Sequence, residues 1–172
     1  MLINTSDIMQ ETKSDNLRLL FPQWQGGNNP PYFFGSQLLS WLAPKAQGVE
    51  VNVPVSPPEK GSLLKIEDGI VGRSQIMKQL ESARDIVKEH QPETITTLGG
   101  DCLVSLPPFA YLSEKYGDKL GVLWIDSHPD IMDERHFPHS HTYVLGLLLG
   151  HGDKQFKTLV NKPLLPTNVM IA

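Results

Sequence analysis

The chain has 172 residues, of which 40% are hydrophobic and 20% charged, so it is long enough to bury a core and has the composition of a globular domain. Its formal net charge of −4 excludes the basic footprint of a nucleic-acid-binding protein, and no nucleic-acid partner is expected. A single cysteine excludes an intrachain disulfide and favours the cytoplasm as the compartment.

The N-terminal part begins with a polar segment and continues into a short apolar run. Met1–Asp15 lacks the basic and apolar regions of a secretory signal. No run in the chain approaches the roughly 20 apolar residues of a membrane helix, so no membrane partner is expected. Leu17–Phe21 favours β structure and is closed by Pro22, which predicts a first strand. Gln23–Tyr32 is rich in glycine, asparagine and proline and predicts a loop.

The next elements alternate between helix and strand patterns. Ser36–Leu42 predicts a short helix, and the alternating run Val49–Val55 predicts a strand near a sheet edge because it contains Pro54. Ser56–Ile70 predicts a long loop. Val71–His90 is the clearest helix, because its apolar side chains form one stripe, consisting of Ile76, Leu80, Ala83 and Val87.

The centre of the chain has the pattern strand, helix, strand. Two β-favouring runs, Thr94–Leu98 and Gly121–Ile125, flank the helical segment Leu103–Tyr116. This order predicts a right-handed βαβ unit with two parallel strands. With a further helix at Thr142–Leu149 and a strand at Asn168–Ala172, the pattern predicts one α/β domain over residues 1–172. We expect three layers, with a parallel central sheet between helices.

Polar clusters follow both central strands, at the edge where open α/β sheets carry their chemistry. The first is Gly99-Gly100-Asp101-Cys102, in which paired glycines leave room for a ligand. The second contains Asp126, His128 and Asp130, which alternate and would point the same way on an extended chain. Two carboxylates and an imidazole predict a divalent metal site, for which Mn²⁺ is suited and Zn²⁺ is the second candidate. The alternative is a polar loop after a buried strand.

These clusters resemble motifs of the ureohydrolases, the family of arginase, agmatinase and formimidoylglutamase. Gly99–Cys102 resembles the family's Gly-Gly-Asp-His, and Trp124–Ile131 resembles its Asp-Ala-His-x-Asp signature. Ser140–Gly146 resembles the segment that carries the family's proton-transfer histidine. The resemblance runs from about Leu17 to the last residue, and Gln23–Gly27 is most similar to bacterial arginase-like members.

The resemblance implies a manganese-dependent hydrolase that cleaves a C–N bond of a small guanidino or amidine substrate. It implies that Asp126 bridges two metals, that His128 serves one, and that Asp130 with position 102 serves the other. His141 would deliver a proton to the leaving amine. We expect Asp101 to orient the loop or a ligand, and we expect His136 and His139 to lie in a solvated loop.

Two features depart from the family pattern. Cys102 stands where the family has its first metal-ligand histidine, either as a thiolate ligand that favours Zn²⁺ or as a small buried residue in place of a lost ligand. The family's later Ser-Phe-Asp-x-Asp motif does not occur in the sequence. The resemblance therefore covers roughly the N-terminal half of a family domain, truncated on its C-terminal side.

This incomplete pattern leaves three functional hypotheses. The first is a metal-dependent ureohydrolase whose missing carboxylates come from a region absent from this chain; for the chain alone we expect one divalent ion and little or no urea release. The second is a degenerate remnant or binding module with at most one weak metal site, and the third is a hydrolase similar to zinc deacetylases. A truncated sheet would also expose an edge or an apolar face, which predicts a homo-oligomer or another form of self-association.

Overall fold

The computed structural model describes residues 15–61 and 63–172, so the predicted polar lead-in lies almost entirely outside the described residues. The strands are β1 (Asn16–Phe21), β2 (Val49–Asn52), β3 (Ile66–Glu67), β4 (Ile70–Val71), β5 (Thr94–Gly99), β6 (Val122–Trp124) and β7 (Val169–Ile171). The α-helices are α1 (Pro31–Leu42), α2 (Arg73–His90), α3 (Leu106–Tyr116), α4 (Val144–Leu148) and α5 (Lys154–Lys157). Short 3₁₀ turns at Cys102–Ser105 and Ser140–Tyr143 precede α3 and α4.

The parallel strands form two groups in the described part of the chain. One is a three-stranded sheet in the order β2-β1-β5, in which Leu19 lies opposite both Val51 and Thr97. The other is the pair β6-β7, in which Leu123 lies opposite Met170. A small antiparallel hairpin, β3-β4, stands apart from both. The predicted α/β class with parallel strands and helices is confirmed.

The two strands of the predicted central βαβ unit are not hydrogen-bonded neighbours in the described residues. In the described residues β5 pairs with β1, and β6 pairs with β7, so the two strands flanking α3 belong to different groups. The physical reason is that apolar alternation determines which face of a strand is buried, whereas it does not determine which strand lies beside it.

Helix α2 packs the predicted apolar stripe into the core. Ile76, Leu80, Ala83 and Val87 are fully buried in a cluster that also contains the alternate residues of β1. The helix begins after Gly72, whose φ of +68° favours glycine, and it ends at Gln91, whose N–H donates to the Val87 carbonyl at 2.9 Å. Full burial of each large apolar side chain contributes about 1.5–3 kcal/mol to the free energy of folding. The packing of α2 therefore stabilises one side of the sheet.

The ends of β1 and β5 bring two loops together. The N–H of Gly100 donates to the Phe21 carbonyl at 3.2 Å, and the N–H of Asp101 donates to the Gln23 carbonyl at 3.0 Å. A Cβ added to Gly100 would lie 1.8 Å from the Gln23 oxygen. Gly100 therefore leaves room for the backbone of Gln23, whereas the expectation was that the glycine pair leaves room for a ligand.

Two apolar surfaces face solvent. On the β6-β7 pair, Leu123 is 56% and Met170 is 67% exposed, which confirms the predicted uncovered apolar face. Helix α1 starts five residues earlier than predicted, with Pro31 in its first turn, and it exposes Phe34 and Trp41. Within the described residues, no helix is both long and apolar enough to cross a membrane.

Candidate metal centre

Three of the four predicted metal ligands lie close together. Cys102, Asp126 and Asp130 each offer a ligand atom, and these atoms lie within 4.8 Å of one another. The Cys102 Sγ is 3.7 Å from the Asp126 Oδ2. Cys102 opens the 3₁₀ turn after β5, and the two aspartates follow β6. The two polar clusters therefore meet, although their strands do not pair.

The segment after β6 bends, so the expected extended chain is wrong. The Asp126 Oδ1 accepts the N–H of His128 at 2.9 Å, which closes a turn of the kind that aspartate favours. Asp130 has a φ of +50°, so side chains two apart do not share one direction. The His128 side chain is 77% exposed, and its Nδ1 lies 3.7 Å from the Asp126 Oδ1. His128 lies outside the three-residue group.

Asp130 has a buried side-chain oxygen that lacks a hydrogen-bond partner among the described residues. The residue is 3% exposed, and its Oδ2 has no hydrogen-bond partner in the described part of the chain. Burial raises the pKa of its carboxyl, and the charge of Asp126 raises it further. A buried oxygen without a donor is costly, and a divalent cation would satisfy it. The residues present therefore fit a metal ion.

Cys102 is half-buried beside the two carboxylates. Burial raises the pKa of its thiol well above the usual range, and the charges of Asp130 and Asp126 raise it further. A cation at this position would have to displace the thiol proton, as metals do when they bind cysteine.

Asp101 connects the two loops at the back of the site. Its Oδ1 accepts the N–H of Leu103 at 3.1 Å, and its Oδ2 accepts the N–H of Gly27 at 3.2 Å. Burial raises the pKa of the Asp101 carboxyl to about 7, although these backbone hydrogen bonds lower it. Asp101 thus holds the Gln23–Gly27 loop, as expected for a residue that orients the loop.

His141 stands beside this centre in a fixed orientation. Its Nδ1 lies 3.0 Å from the Gly26 carbonyl oxygen, and because that oxygen can only accept, Nδ1 carries the hydrogen. Nε2 is then the nitrogen available for proton exchange. The charge of His141 lowers the pKa of Asp130. A cavity of about 370 Å³ is lined by Ile131, Met132 and Phe137 beside His128, Asp130 and His141.

The loop from Ile131 to His139 forms one wall of this cavity and is fixed to the β3-β4 hairpin. The N–H of Val71 donates to the Pro138 carbonyl at 3.0 Å, and the hydroxyl of Tyr143 donates to the Phe137 carbonyl. The Phe137 ring lies 5.0 Å from His139 and 6.4 Å from His141, between ring centroids.

The histidine-rich loop was expected to be solvated, and this holds for His136 but only in part for His139. The side chain of His136 is 64% exposed and its Nδ1 lies 2.7 Å from the Asp133 Oδ1. His139 is half-buried, and burial followed by the charge of His141 lowers its pKa. Sequence reasoning missed Phe137 and the Gly26 carbonyl, since neither residue type signals a role beside a histidine.

Comparison with known proteins gives one family. A model described as the arginase family matches residues 47–161. Arginase from Glycine max is 32% identical over 83 residues, which are 46% of this chain and 24% of that protein. Arginase 1, mitochondrial, from Arabidopsis thaliana is 35% identical over 69 residues, which are 40% of this chain and 20% of that protein.

Solved structures show the same fold. Arginase from Bacillus caldovelox has a TM-score of 0.67 at 19% identity, covering 91% of this chain and 56% of that one. Entamoeba histolytica arginase in complex with L-ornithine has a TM-score of 0.66 at 16% identity, covering 92% of this chain and 57% of that one. The chain thus spans slightly more than half of these structures, and its matches span about a quarter or less of the curated relatives.

Proposed function

The chain belongs to the arginase family, and from this premise we propose that it serves the metal-dependent hydrolysis of a guanidino or amidine C–N bond. The observation that carries this proposal is the grouping of Cys102, Asp126 and Asp130 within 4.8 Å, beside a cavity that His141 also lines. Arginine and agmatine are the first substrates to test, because a cationic guanidinium is attracted to the two carboxylates.

Cys102, Asp126 and Asp130 would hold the ion, and His128 is the next nearest candidate. A bound divalent ion supplies Lewis-acid activation of water near neutral pH. Both Mn²⁺ and Zn²⁺ are candidates, because carboxylate oxygens suit Mn²⁺ and a thiol suits Zn²⁺. We expect one ion, because these ligands are too few for a binuclear centre.

His141 would move the proton of the reaction. Its Nδ1 is held by the Gly26 carbonyl at 3.0 Å, so the ring keeps one orientation and Nε2 delivers a proton to the leaving amine. General acid–base catalysis of this kind contributes typically about 10²–10⁴-fold to the rate. The apolar wall of Ile131, Met132 and Phe137 would exclude water from the non-reacting part of the substrate.

A second candidate function is metal binding without catalysis. It is favoured by Cys102 in place of a histidine ligand, and by the exposed side chain of His128. In either case we expect self-association through the apolar face of β6-β7. We also expect a cytoplasmic location, on the basis of the single cysteine.

Urea release, measured with Mn²⁺ and separately with Zn²⁺, distinguishes the two functions. We expect slow turnover of arginine or agmatine, because one ion provides only part of a binuclear centre and ligand geometry is demanding. His141→Asn should lower the rate about 10²-fold or more, whereas the matched variant His151→Asn, at an exposed position, should not. Metal binding without urea release from the unmodified chain and from Cys102→His would favour the non-catalytic function.

A further inference from the structure

Cys102 is held firmly at the centre by its neighbours in the chain. Asp101 caps the turn that begins at Cys102, through the hydrogen bond to the N–H of Leu103 at 3.1 Å. Leu103 is fully buried and Val104 nearly so. A Cβ added to Gly99 would lie 2.5 Å from the Val104 Cγ2, so the turn is packed tightly against the end of β5. The backbone of Cys102 is therefore held at the end of β5.

The separation between the Cys102 sulfur and the Asp126 carboxylate suits one small ion. Ligand atoms that share a tetrahedral Zn²⁺ at ~2.0–2.3 Å lie about 3.3–3.8 Å apart. The separation of 3.7 Å between the Cys102 Sγ and the Asp126 Oδ2 falls within that range. Three protein ligands with one open position are the usual arrangement of a catalytic zinc ion.

A second observation independent of the cysteine points to a cation. The Asp130 Oδ2 is buried and has no hydrogen-bond partner among the described residues. The ligand atoms around it belong to a second carboxylate and a thiol, and the thiol proton alone cannot satisfy both carboxylates. A positive ion between these three groups would give the Asp130 Oδ2 the partner that it lacks.

We propose that Cys102 is a direct sulfur ligand, and that it makes this centre a single-ion site selecting Zn²⁺ over Mn²⁺. The inference rests on the metal centre proposed above. Mn²⁺ prefers oxygen and nitrogen ligands, whereas thiolate binds the softer Zn²⁺ well. Replacing the sulfur by an imidazole should thus weaken the preference for Zn²⁺ while keeping a ligand in place.

Cobalt provides a readout that does not depend on activity. The chain is titrated with Co²⁺ and its absorption is followed, because a thiolate bound to Co²⁺ gives a charge-transfer band in the near ultraviolet. Zn²⁺ and Mn²⁺ are then compared as competitors for Co²⁺. Cys102→Ser and Cys102→His are measured beside Ser105→Ala, a control at the other end of the same turn, and circular dichroism verifies that each variant is folded.

We expect the thiolate-to-Co²⁺ charge-transfer band in the unmodified chain and in Ser105→Ala. Both Cys102 variants should lose this band. The preference for Zn²⁺ over Mn²⁺ should fall by roughly tenfold or more in Cys102→His. Co²⁺ binding without the band, or the same preference in the unmodified chain and in Cys102→His, would overturn the inference and leave the proposed metal centre standing. If none of the three ions binds, the metal centre fails as well.

Discussion

Gly100→Ala should destabilise the chain more than any other glycine substitution near the site. An added Cβ would lie 1.8 Å from the Gln23 oxygen, against 3.4 Å or more for ordinary contact, so the two backbones must separate by about 1.6 Å (3.4 − 1.8). Such a separation would break the hydrogen bonds that join Gly100 to Phe21 and Asp101 to Gln23. Overpacking and unpaired buried groups each cost about 1–3 kcal/mol, so we expect a loss of about 3–5 kcal/mol in the free energy of unfolding.

Urea denaturation of the purified chain measures this loss. Gly121→Ala is the matched control, because a Cβ at Gly121 meets nothing within 4 Å. Gly35→Ala, inside α1 and equally free of contacts, should raise stability by up to about 1 kcal/mol through helix propensity. A Gly100→Ala chain within about 0.5 kcal/mol of Gly121→Ala would refute the reasoning, since it would mean that the two loops separate at little cost.

Three further predictions concern the site, the surface and the core. After dialysis the chain should retain one divalent ion, and Asp126→Asn should retain less; two ions per chain in metal analysis would contradict the single-ion centre. Replacing Leu123 and Met170 together by threonine should reduce self-association in sedimentation experiments, and unchanged association would direct attention to another surface. Leu80→Ala should lower the free energy of unfolding by about 2–5 kcal/mol in denaturant titrations, because Leu80 is fully buried; a loss below 1 kcal/mol would contradict its place in the core.

The sequence predicted those elements whose own periodicity decides their structure. Helix α2 has one apolar stripe, and that stripe is buried as expected. The β-favouring run Leu17–Phe21 likewise predicted a strand, which the structure has at Asn16–Phe21. The lateral order of strands was out of reach, because the apolar alternation of β5 is the same whether its neighbour is β1 or β6.

The candidate site was predictable in its membership and less so in its geometry. Cys102, Asp126 and Asp130 come together because the loops that follow β5 and β6 meet. His128 was expected beside them on an extended chain, and the hydrogen bond from its own N–H to Asp126 turned the chain instead. A side chain that competes for a backbone donor is hard to foresee from spacing alone.

The attachment of the cavity wall to the β3-β4 hairpin has a consequence for attempts to reshape the cavity. The loop from Ile131 to His139 supplies Met132 and Phe137 to the cavity, and its Pro138 carbonyl satisfies the buried N–H of Val71 in the hairpin. A loop transplanted from a relative without an equivalent carbonyl would leave that N–H unpaired, at a cost of about 1–3 kcal/mol. Loop and hairpin are therefore exchanged best as one unit, and libraries that aim at a different cavity shape should vary residues 66–71 and 131–139 together.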